Sequence, residues 1–349
     1  MARGKAKGKS KDKPTGISTG GGSTPRFSGF ADAAAEASKN FPDRSVVEFI
    51  PTGDILWDWM LGGGLPRGRI IELSSEPGVG KTTTALDWMR NACSLGFNGA
   101  YLDFENAMIT SLQDGVGISE YIGKHYVLNT GQTWDDLNSL MRMYLDKSAG
   151  VDIIVLDSIT SVLPTQLLGE DITPESVRPG LNARCQSNFF QMFKAPIADA
   201  GVVFILVNQA RVFIDMKNAN NCRLQGAGGY ALKHYSDLRF FLKNTGTIKD
   251  EADNEIGASV AAVSVKNKIC GFRRGIYQVA YGKGVDKNAT VAEYFKRTAG
   301  CVGSGAWFTI NIRGEEKKVH GNKGVAEYVS ENYDVVCDYL REEGLFRGN

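Results

Sequence analysis

Residues 69–83 read Arg69-Ile70-Ile71-Glu72-Leu73-Ser74-Ser75-Glu76-Pro77-Gly78-Val79-Gly80-Lys81-Thr82-Thr83. A short, mostly apolar run turns through one proline and two glycines into a Lys-Thr pair. Behind it, Ala85, Leu86, Met89, Ala92 and Cys93 recur at helical spacing. Strand, glycine-rich turn and helix, in that order, make a cradle of backbone N–H groups that suits phosphate oxygens. Ser75–Thr82 departs from G-x-x-x-x-G-K-[ST] only at its first position, where Ser75 stands for Gly. In that pattern Lys81 neutralises the β/γ-phosphates and the Thr82 hydroxyl ligates Mg²⁺, so ATP with Mg²⁺ is the expected cofactor. The competing reading of the loop alone is a glycine-rich strand–helix turn with an incidental lysine.

Working outward, the same pattern returns three times. Ala100-Tyr101-Leu102-Asp103-Phe104 ends in Glu105, Asp152-Ile153-Ile154-Val155-Leu156 in Asp157-Ser158, and Val202-Val203-Phe204-Ile205-Leu206-Val207 in Asn208-Gln209. Continuous apolar runs suit strands buried on both faces of a parallel sheet. Helical stretches lie between them: Thr133-Trp134-Asp135-Asp136 looks like a helix start, followed by Leu137, Leu140, Met141, Tyr144 and Leu145 on one face. Strand alternating with helix implies right-handed crossovers and a parallel sheet. After residue 230, strand follows strand at 238–242, 259–266 and 275–281, an antiparallel extension. From about 286 a smaller mixed segment ends in a helix expected around 323–341.

Ligands of open parallel sheets sit beyond the carboxyl ends of the strands. Four strand ends bring a phosphate loop, a Glu, an Asp and a Gln to that edge. Asp157 fits the metal-holding acid of a nucleotide site, although an Asp in this place is by itself often a helix cap. Glu105 would polarise the attacking water, and Gln209 would sense the γ-phosphate. Each alone is an ordinary strand-end polar residue. The nucleotide-binding set is Ser75, Glu76, Pro77, Gly78, Val79, Gly80, Lys81, Thr82, Thr83 and Asp157, with Thr82 and Asp157 on the metal.

Composition sets the outer bounds. With 349 residues, 42% hydrophobic and 23% charged, the chain is neither disordered throughout, nor collagen-like, nor a small disulfide scaffold. A balance of 40 Lys+Arg against 39 Asp+Glu excludes a uniformly basic nucleic-acid coat but not a local basic patch. Residues 1–26 hold seven basic groups (Arg3, Lys5, Lys7, Lys9, Lys11, Lys13, Arg26) against Asp12, leaving 33 basic and 38 acidic groups elsewhere. With Gly20-Gly21-Gly22 and little apolar surface, this stretch is expected to be a flexible arm, either a solubilising tail or a loose holder of a polyanion. Six scattered cysteines without a C-x-x-C pair suggest a reducing compartment, and three histidines lack metal-ligand spacing. Neither a signal-peptide h-region nor an apolar run of about 18 residues occurs, so a cytoplasmic protein with no membrane partner is expected.

Taken together, the stretch from about 45 to 340 resembles the RecA-type homologous recombinases. Glu76 and Lys81-Thr82-Thr83 match the family's phosphate loop, Asp103-Phe104-Glu105-Asn106-Ala107 the segment with the catalytic Glu, and Asp152–Ser158 the metal-holding strand. Gly180-Leu181-Asn182-Ala183-Arg184 and Asn208-Gln209-Ala210-Arg211 correspond to segments beside two DNA-binding loops. Gly228-Gly229-Tyr230-Ala231-Leu232-Lys233, Val265-Lys266-Asn267-Lys268-Ile269, Tyr281-Gly282-Lys283-Gly284 and Gly305-Ala306-Trp307 follow in family order.

The resemblance implies an α/β fold: a RecA-like P-loop ATPase core with a mainly parallel twisted sheet flanked by helices, an antiparallel strand extension and a small C-terminal α/β domain. Its implied divisions are the arm 1–26, an N-terminal helix and linker 27–48 contacting the next protomer, the core 49–285 and the domain 286–349. Residues 169–180 and 210–228 would be the loops lining a filament axis. The DNA-binding set would be Arg178, Gly180, Arg184, Ser187, Arg211, Lys217, Arg223, Gly228 and Gly229, mostly on the phosphate backbone. Lys266 and Lys268 would reach a neighbour's ATP site, joining Glu105, Lys81 and Gln209 in catalysis.

The implied function is a DNA-dependent ATPase that forms helical filaments on single-stranded DNA, pairs it with homologous duplex DNA and exchanges strands, served by loader or single-strand-binding proteins. Two rivals share the core: a hexameric helicase, and a regulator that binds ATP and DNA without hydrolysis. Departures from the family pattern point to a divergent member of phage origin. Ile109 and Leu112 stand where an Asp and a Tyr usually grip adenine, His234 replaces an aromatic, and no acidic tail ends the chain.

Overall fold

The computed structural model describes residues 46–168, 180–214, 222–226, 229–304 and 306–344. The basic arm, nearly all of 27–48 and residues 169–179 of the first expected loop therefore lie outside the described residues. Two short strands, β1 (Phe49–Ile50) and β2 (Leu65–Pro66), pair antiparallel around helix α1 (Ile55–Leu61).

β3 (Ile70–Ser75) is buried at every position, and the sheet is built around it. Along it follow α2 (Lys81–Ser94), β4 (Gly99–Asp103), α3 (Thr110–Val116), β5 (Tyr126–Thr130), α4 (Trp134–Leu145), β6 (Ile153–Asp157), α5 (Leu181–Ala200) and β7 (Val203–Ile214). Then come β8 (Cys222–Gly226), α6 (Gly229–Tyr235), β9 (Leu238–Lys249), β10 (Glu255–Asn267), β11 (Arg274–Ala280) and β12 (Gly284–Val285). The strand order is β12-β11-β10-β9-β3-β7-β6-β4-β5, with β8 paired to the far end of β7. Pairing is parallel from β9 through β5 and antiparallel from β9 to β12. The α/β class, the mainly parallel sheet and its antiparallel extension are thus as the strand runs imply.

Period-two alternation explains why the runs are apolar throughout. Ile71, Leu73, Ile153, Val155, Val203, Ile205 and Val207 enter one core, with α1 and α2. Ile70, Ile154, Leu156, Phe204 and Leu206 enter the other, with α4 and α5. On the first face Trp57 meets Trp88, Phe240 and Tyr277 edge-on at 4.8–5.4 Å. On the second, Phe189 packs among Trp134, Phe190, Phe193 and Phe204. Edge-to-face contacts such as those of Trp57 add to plain area burial. The helix at 134 starts as its sequence reads: Thr133 and Asp136 form a reciprocal capping box.

The C-terminal segment contains α7 (Lys287–Phe295), an antiparallel sheet of β13 (Cys301–Ser304), β14 (Trp307–Ile312) and β15 (Glu315–His320), then α8 (Gly321–Glu331) and α9 (Tyr333–Glu342). Phe295, Ile310, Val325, Val336 and Leu340 extend the first core into it. The single helix expected over 323–341 is instead two, because Asn332 leaves helical geometry at φ −126°, ψ 34°. No helix among the described residues is long and apolar enough to cross a membrane.

Asp54 caps α1, accepting from the Leu56 and Trp57 N–H groups at 2.8 and 3.4 Å. Burial pushes its carboxyl up to about 7, against the pull of those N–H groups and of Lys287. A raised carboxyl pKa means the folded chain keeps a proton that the unfolded chain releases. The stabilisation is full below the ordinary carboxylate range and is lost as pH rises towards 7. Asp54→Asn keeps the cap and removes the titration. Urea unfolding should show wild type losing about 2–3 kcal/mol relative to this variant between pH 5 and pH 8. Parallel stability curves for the two proteins would refute the assignment.

Candidate active site

Strand register assembles the site before any side chain is considered. β3, β7, β6 and β4 are consecutive neighbours; Ser75 lies opposite Gln209, and Asp103 opposite Asp157. Beyond that row the Asp157 carbonyl accepts from the Phe104 and Glu105 N–H groups at 2.7 and 3.0 Å. Glu105 is thereby tied to the strand end that carries Asp157.

The phosphate loop turns through Gly78 at φ 74° and Gly80 at φ 100°. A side chain at these left-handed positions would be strained. Gly80 directly precedes α2 and makes no side-chain cap, which leaves the first-turn N–H groups to an anion. Lys81 is 7% exposed. Its Nζ donates to Ser75 Oγ at 2.9 Å, Glu76 O at 3.0 Å and Ser75 O at 3.4 Å. Burial lowers the Lys81 pKa, while Asp157 and Glu105 hold it up. Ser75, the one departure from the loop pattern, thus adds an acceptor for the lysine, and its hydroxyl donates to Glu76 O at 2.6 Å.

Asp157 Oδ2 accepts from Thr82 Oγ1 at 2.6 Å and from the Tyr101 hydroxyl at 2.7 Å. Its Oδ1 is buried with no hydrogen-bond partner among the described residues. Burial raises the carboxyl pKa, and the two hydroxyl donors offset part of that rise. Burial and the Asp157 charge push the Tyr101 phenol well above its ordinary value, so it keeps its proton and donates. A buried carboxylate oxygen lacking a donor, beside a threonine hydroxyl, is a hard-oxygen set that fits Mg²⁺ held directly or through its waters. Gln209 Nε2 donates to Glu105 Oε1 at 3.0 Å, joining the two side chains across the site.

Beneath this row lies a network the motifs do not reveal. Glu72 is fully buried and pairs with Arg239, whose Nη2 donates to Oε1 at 3.2 Å and whose Nε donates to Oε2. Asn208 Nδ2 donates to the same Oε1 at 2.8 Å. The residue preceding Gln209 is thereby tied to the strand that launches the phosphate loop. A clue exists in the sequence: an acid inside an apolar strand implies a buried partner.

A cavity of about 200 Å³ opens beside Gly78–Thr83, and Ala258, Val279 and Tyr281 form its opposite wall. Ile109 is 58% exposed before α3, and Leu112 packs on the first core. Tyr281, 47% exposed, is the aromatic residue that lines the loop cavity.

The remaining expected site residues fall elsewhere. Lys266 donates to the carbonyls of Lys233 and His234 at 2.6 and 2.9 Å, at the end of α6. Lys268 lies 3.6 Å from Asp237, which also receives Lys194 and the Ile70 N–H. In register, Lys266 is opposite Arg239 and Asn267 opposite Leu238, while Leu238 pairs with Ile71 near the start of β3. Lys268, one residue further on, is therefore about 10 Å sideways and about 17 Å along the strands from the phosphate loop of its own chain, beyond a lysine's reach. Gly180 precedes α5 with φ 81°; Arg184 is exposed and Ser187 half-buried on that helix. Arg211 and Arg223 lie on β7 and β8, which pair antiparallel from Ala210↔Gly226 to Ile214↔Cys222. Residues 210–214 and 222–226, expected within a loop, are thus the arms of a strand pair. Gly229 opens α6, while Arg178, Lys217 and Gly228 lie outside the described residues.

Residues 37–286 match the family model of the RecA N-terminal domain. The chain belongs to the RecA family. Curated relatives named Protein RecA include that of Gloeothece citriformis, 30% identical over 296 residues, covering 84% of this chain and 80% of the relative. Others come from Mycobacteroides abscessus, 30% identical over 84% of this chain and 82% of the relative, and Chloroflexus aggregans, 30% identical over 83% and 80%. The RecA match ends where α7 begins, so the antiparallel extension belongs to the matched region.

Proposed function

We propose that this chain is a DNA-dependent ATPase that assembles into helical filaments on single-stranded DNA and catalyses pairing and strand exchange with homologous duplex DNA. The observation that carries the reading is the Glu105–Gln209 contact, made beside the phosphate loop by a strand that runs on into the β7–β8 pair. A residue that can exchange a carboxylate for a γ-phosphate, at the root of an arm bearing Arg211 and Arg223, links nucleotide state to DNA contact.

In this reading Gly78–Thr83 would hold the phosphates of ATP, Tyr281 would flank its base, and Thr82 and Asp157 would hold Mg²⁺. The metal supplies charge neutralisation at the β/γ-phosphates. Lys81 leaves its loop carbonyls for phosphate oxygens, and Glu105 orients and polarises the attacking water. Lys266 and Lys268, too far from their own loop, serve the site of the next protomer in a head-to-tail assembly. Residues 27–48 contact that protomer, and 286–349 act as a small C-terminal domain. The DNA-binding set is Arg178, Gly180, Arg184, Ser187, Arg211, Lys217, Arg223, Gly228 and Gly229, and the protein works in the cytoplasm.

The test is ATP hydrolysis with and without single-stranded DNA across a salt series, alongside electron microscopy. Single strands should stimulate hydrolysis, and the stimulation should weaken steeply as salt rises, since backbone contacts release counterions. Filaments should appear with ATP and Mg²⁺. Rings, or hydrolysis indifferent to DNA, would overturn the reading.

A further inference from the structure

The two oxygens of the Asp157 carboxylate have unlike surroundings. Oδ2 takes both donors, Thr82 Oγ1 and the Tyr101 hydroxyl, while Oδ1 is buried with no partner among the described residues. The donors arrive from different directions. Thr82 opens α2, whereas Tyr101 stands in the middle of β4, opposite Val155 and two residues short of the Asp103–Asp157 pair. The Tyr101 ring is fully buried among the apolar side chains of the first core, so a phenylalanine would fill the same space. A buried phenol needs a partner, and here the partner is the carboxylate itself.

Two donors on one oxygen fix a carboxylate in rotation more firmly than one, and charge-assisted hydrogen bonds are the stronger kind. Thr82 has a second commitment, to the metal; Tyr101 has none. We propose that Tyr101 is a positioning residue for the metal-holding carboxylate. Its hydroxyl pins Oδ2, so that Oδ1 is the oxygen presented to Mg²⁺ or to a water coordinated on it. The proposal rests on the reading of Thr82 and Asp157 as the metal-holding pair.

The experiment follows binding of a fluorescent ADP analogue to the full chain at graded Mg²⁺ and again in EDTA, with thermal melting in EDTA as the check on folding. Tyr101→Phe should raise the Mg²⁺ midpoint about tenfold and leave the affinity in EDTA within about twofold of wild type. Replacing Tyr101 with 4-aminophenylalanine, which restores a donor on the same ring, should return the midpoint most of the way. An unchanged midpoint in Tyr101→Phe, with Asp157→Asn still moving it, overturns the role of Tyr101 alone. Equal loss of affinity with and without Mg²⁺ also overturns it, since that marks general distortion of the site. If Asp157→Asn does not move the midpoint either, the metal-holding pair itself is wrong.

Discussion

Two inactive variants, Lys81→Ala and Lys268→Ala, should recover ATP hydrolysis when mixed. Lys81→Ala removes the cation proposed to meet the β/γ-phosphates, and loss of such a preorganised charge costs about a hundredfold or more in rate. If Lys268 serves the next protomer as proposed, Lys268→Ala leaves the phosphate loop intact and deprives the neighbouring site of a cation. Lys268 is held 3.6 Å from Asp237, at the end of the strands opposite to Ser75. Where a Lys268→Ala protomer's loop faces a Lys81→Ala protomer, one intact phosphate loop meets one intact lysine. Random mixing at equal amounts would create such a junction at roughly a quarter of head-to-tail contacts, which sets the upper bound on recovery. Activity measured at constant total protein should therefore rise well above the sum of the separate variants. No recovery at any ratio would mean that the lysine acts on its own site or not at all. Retained nucleotide-driven DNA binding in Lys81→Ala alone would contradict the assignment of the loop.

Arg239→Ala should be strongly destabilising. Glu72 is fully buried, and Arg239 and Asn208 are its partners. Removing the guanidinium leaves a carboxylate without its counter-charge between β9 and β7, at a cost of about 3–5 kcal/mol. The desolvation of both charges opposes the attraction between them, so the intact pair itself contributes less than that figure. Replacing both residues by apolar ones, Glu72→Leu with Arg239→Met, should therefore recover much of the loss. Urea unfolding of wild type, the single variant and the pair measures this; a single-variant loss under about 1 kcal/mol would exclude the network as a structural tie.

The candidate site is legible because its residues sit at strand ends, where an apolar run stops and one polar side chain follows. Position in the chain then fixes position on the sheet, so Lys81, Thr82, Glu105, Asp157 and Gln209 could be placed without knowing the strand order. Glu72, Asn208 and Arg239 were not placed because their partnership depends on which strands are neighbours. Tyr101 was read only as an apolar strand residue; its hydroxyl acquires meaning when β4 lies beside β6. β5 escaped notice because it is an edge strand whose Val127 and Leu128 are 39% and 38% exposed, so its run looks like an ordinary surface stretch. The C-terminal helix reads as continuous because the break at Asn332 interrupts a helical pattern that resumes at once. The RecA resemblance supplied what no local pattern carries, above all the direction in which Lys266 and Lys268 would act.

β7 does not stop at the candidate active site. It begins in the buried middle of the sheet at Val203, passes Gln209 and continues to Ile214 on the same strand. There is no joint between the part clamped by β3 and β6 and the part that pairs with β8. Such an element behaves as a beam clamped at one end. From Gln209 to Ile214 the overhang is about 17 Å, so a tilt of about 5° at the clamp would carry its tip about 1.5 Å. Spacing along the beam also governs register: inserting one residue just after Gln209 would reverse the strand's alternation beyond that point, while inserting two would restore it and lengthen the arm.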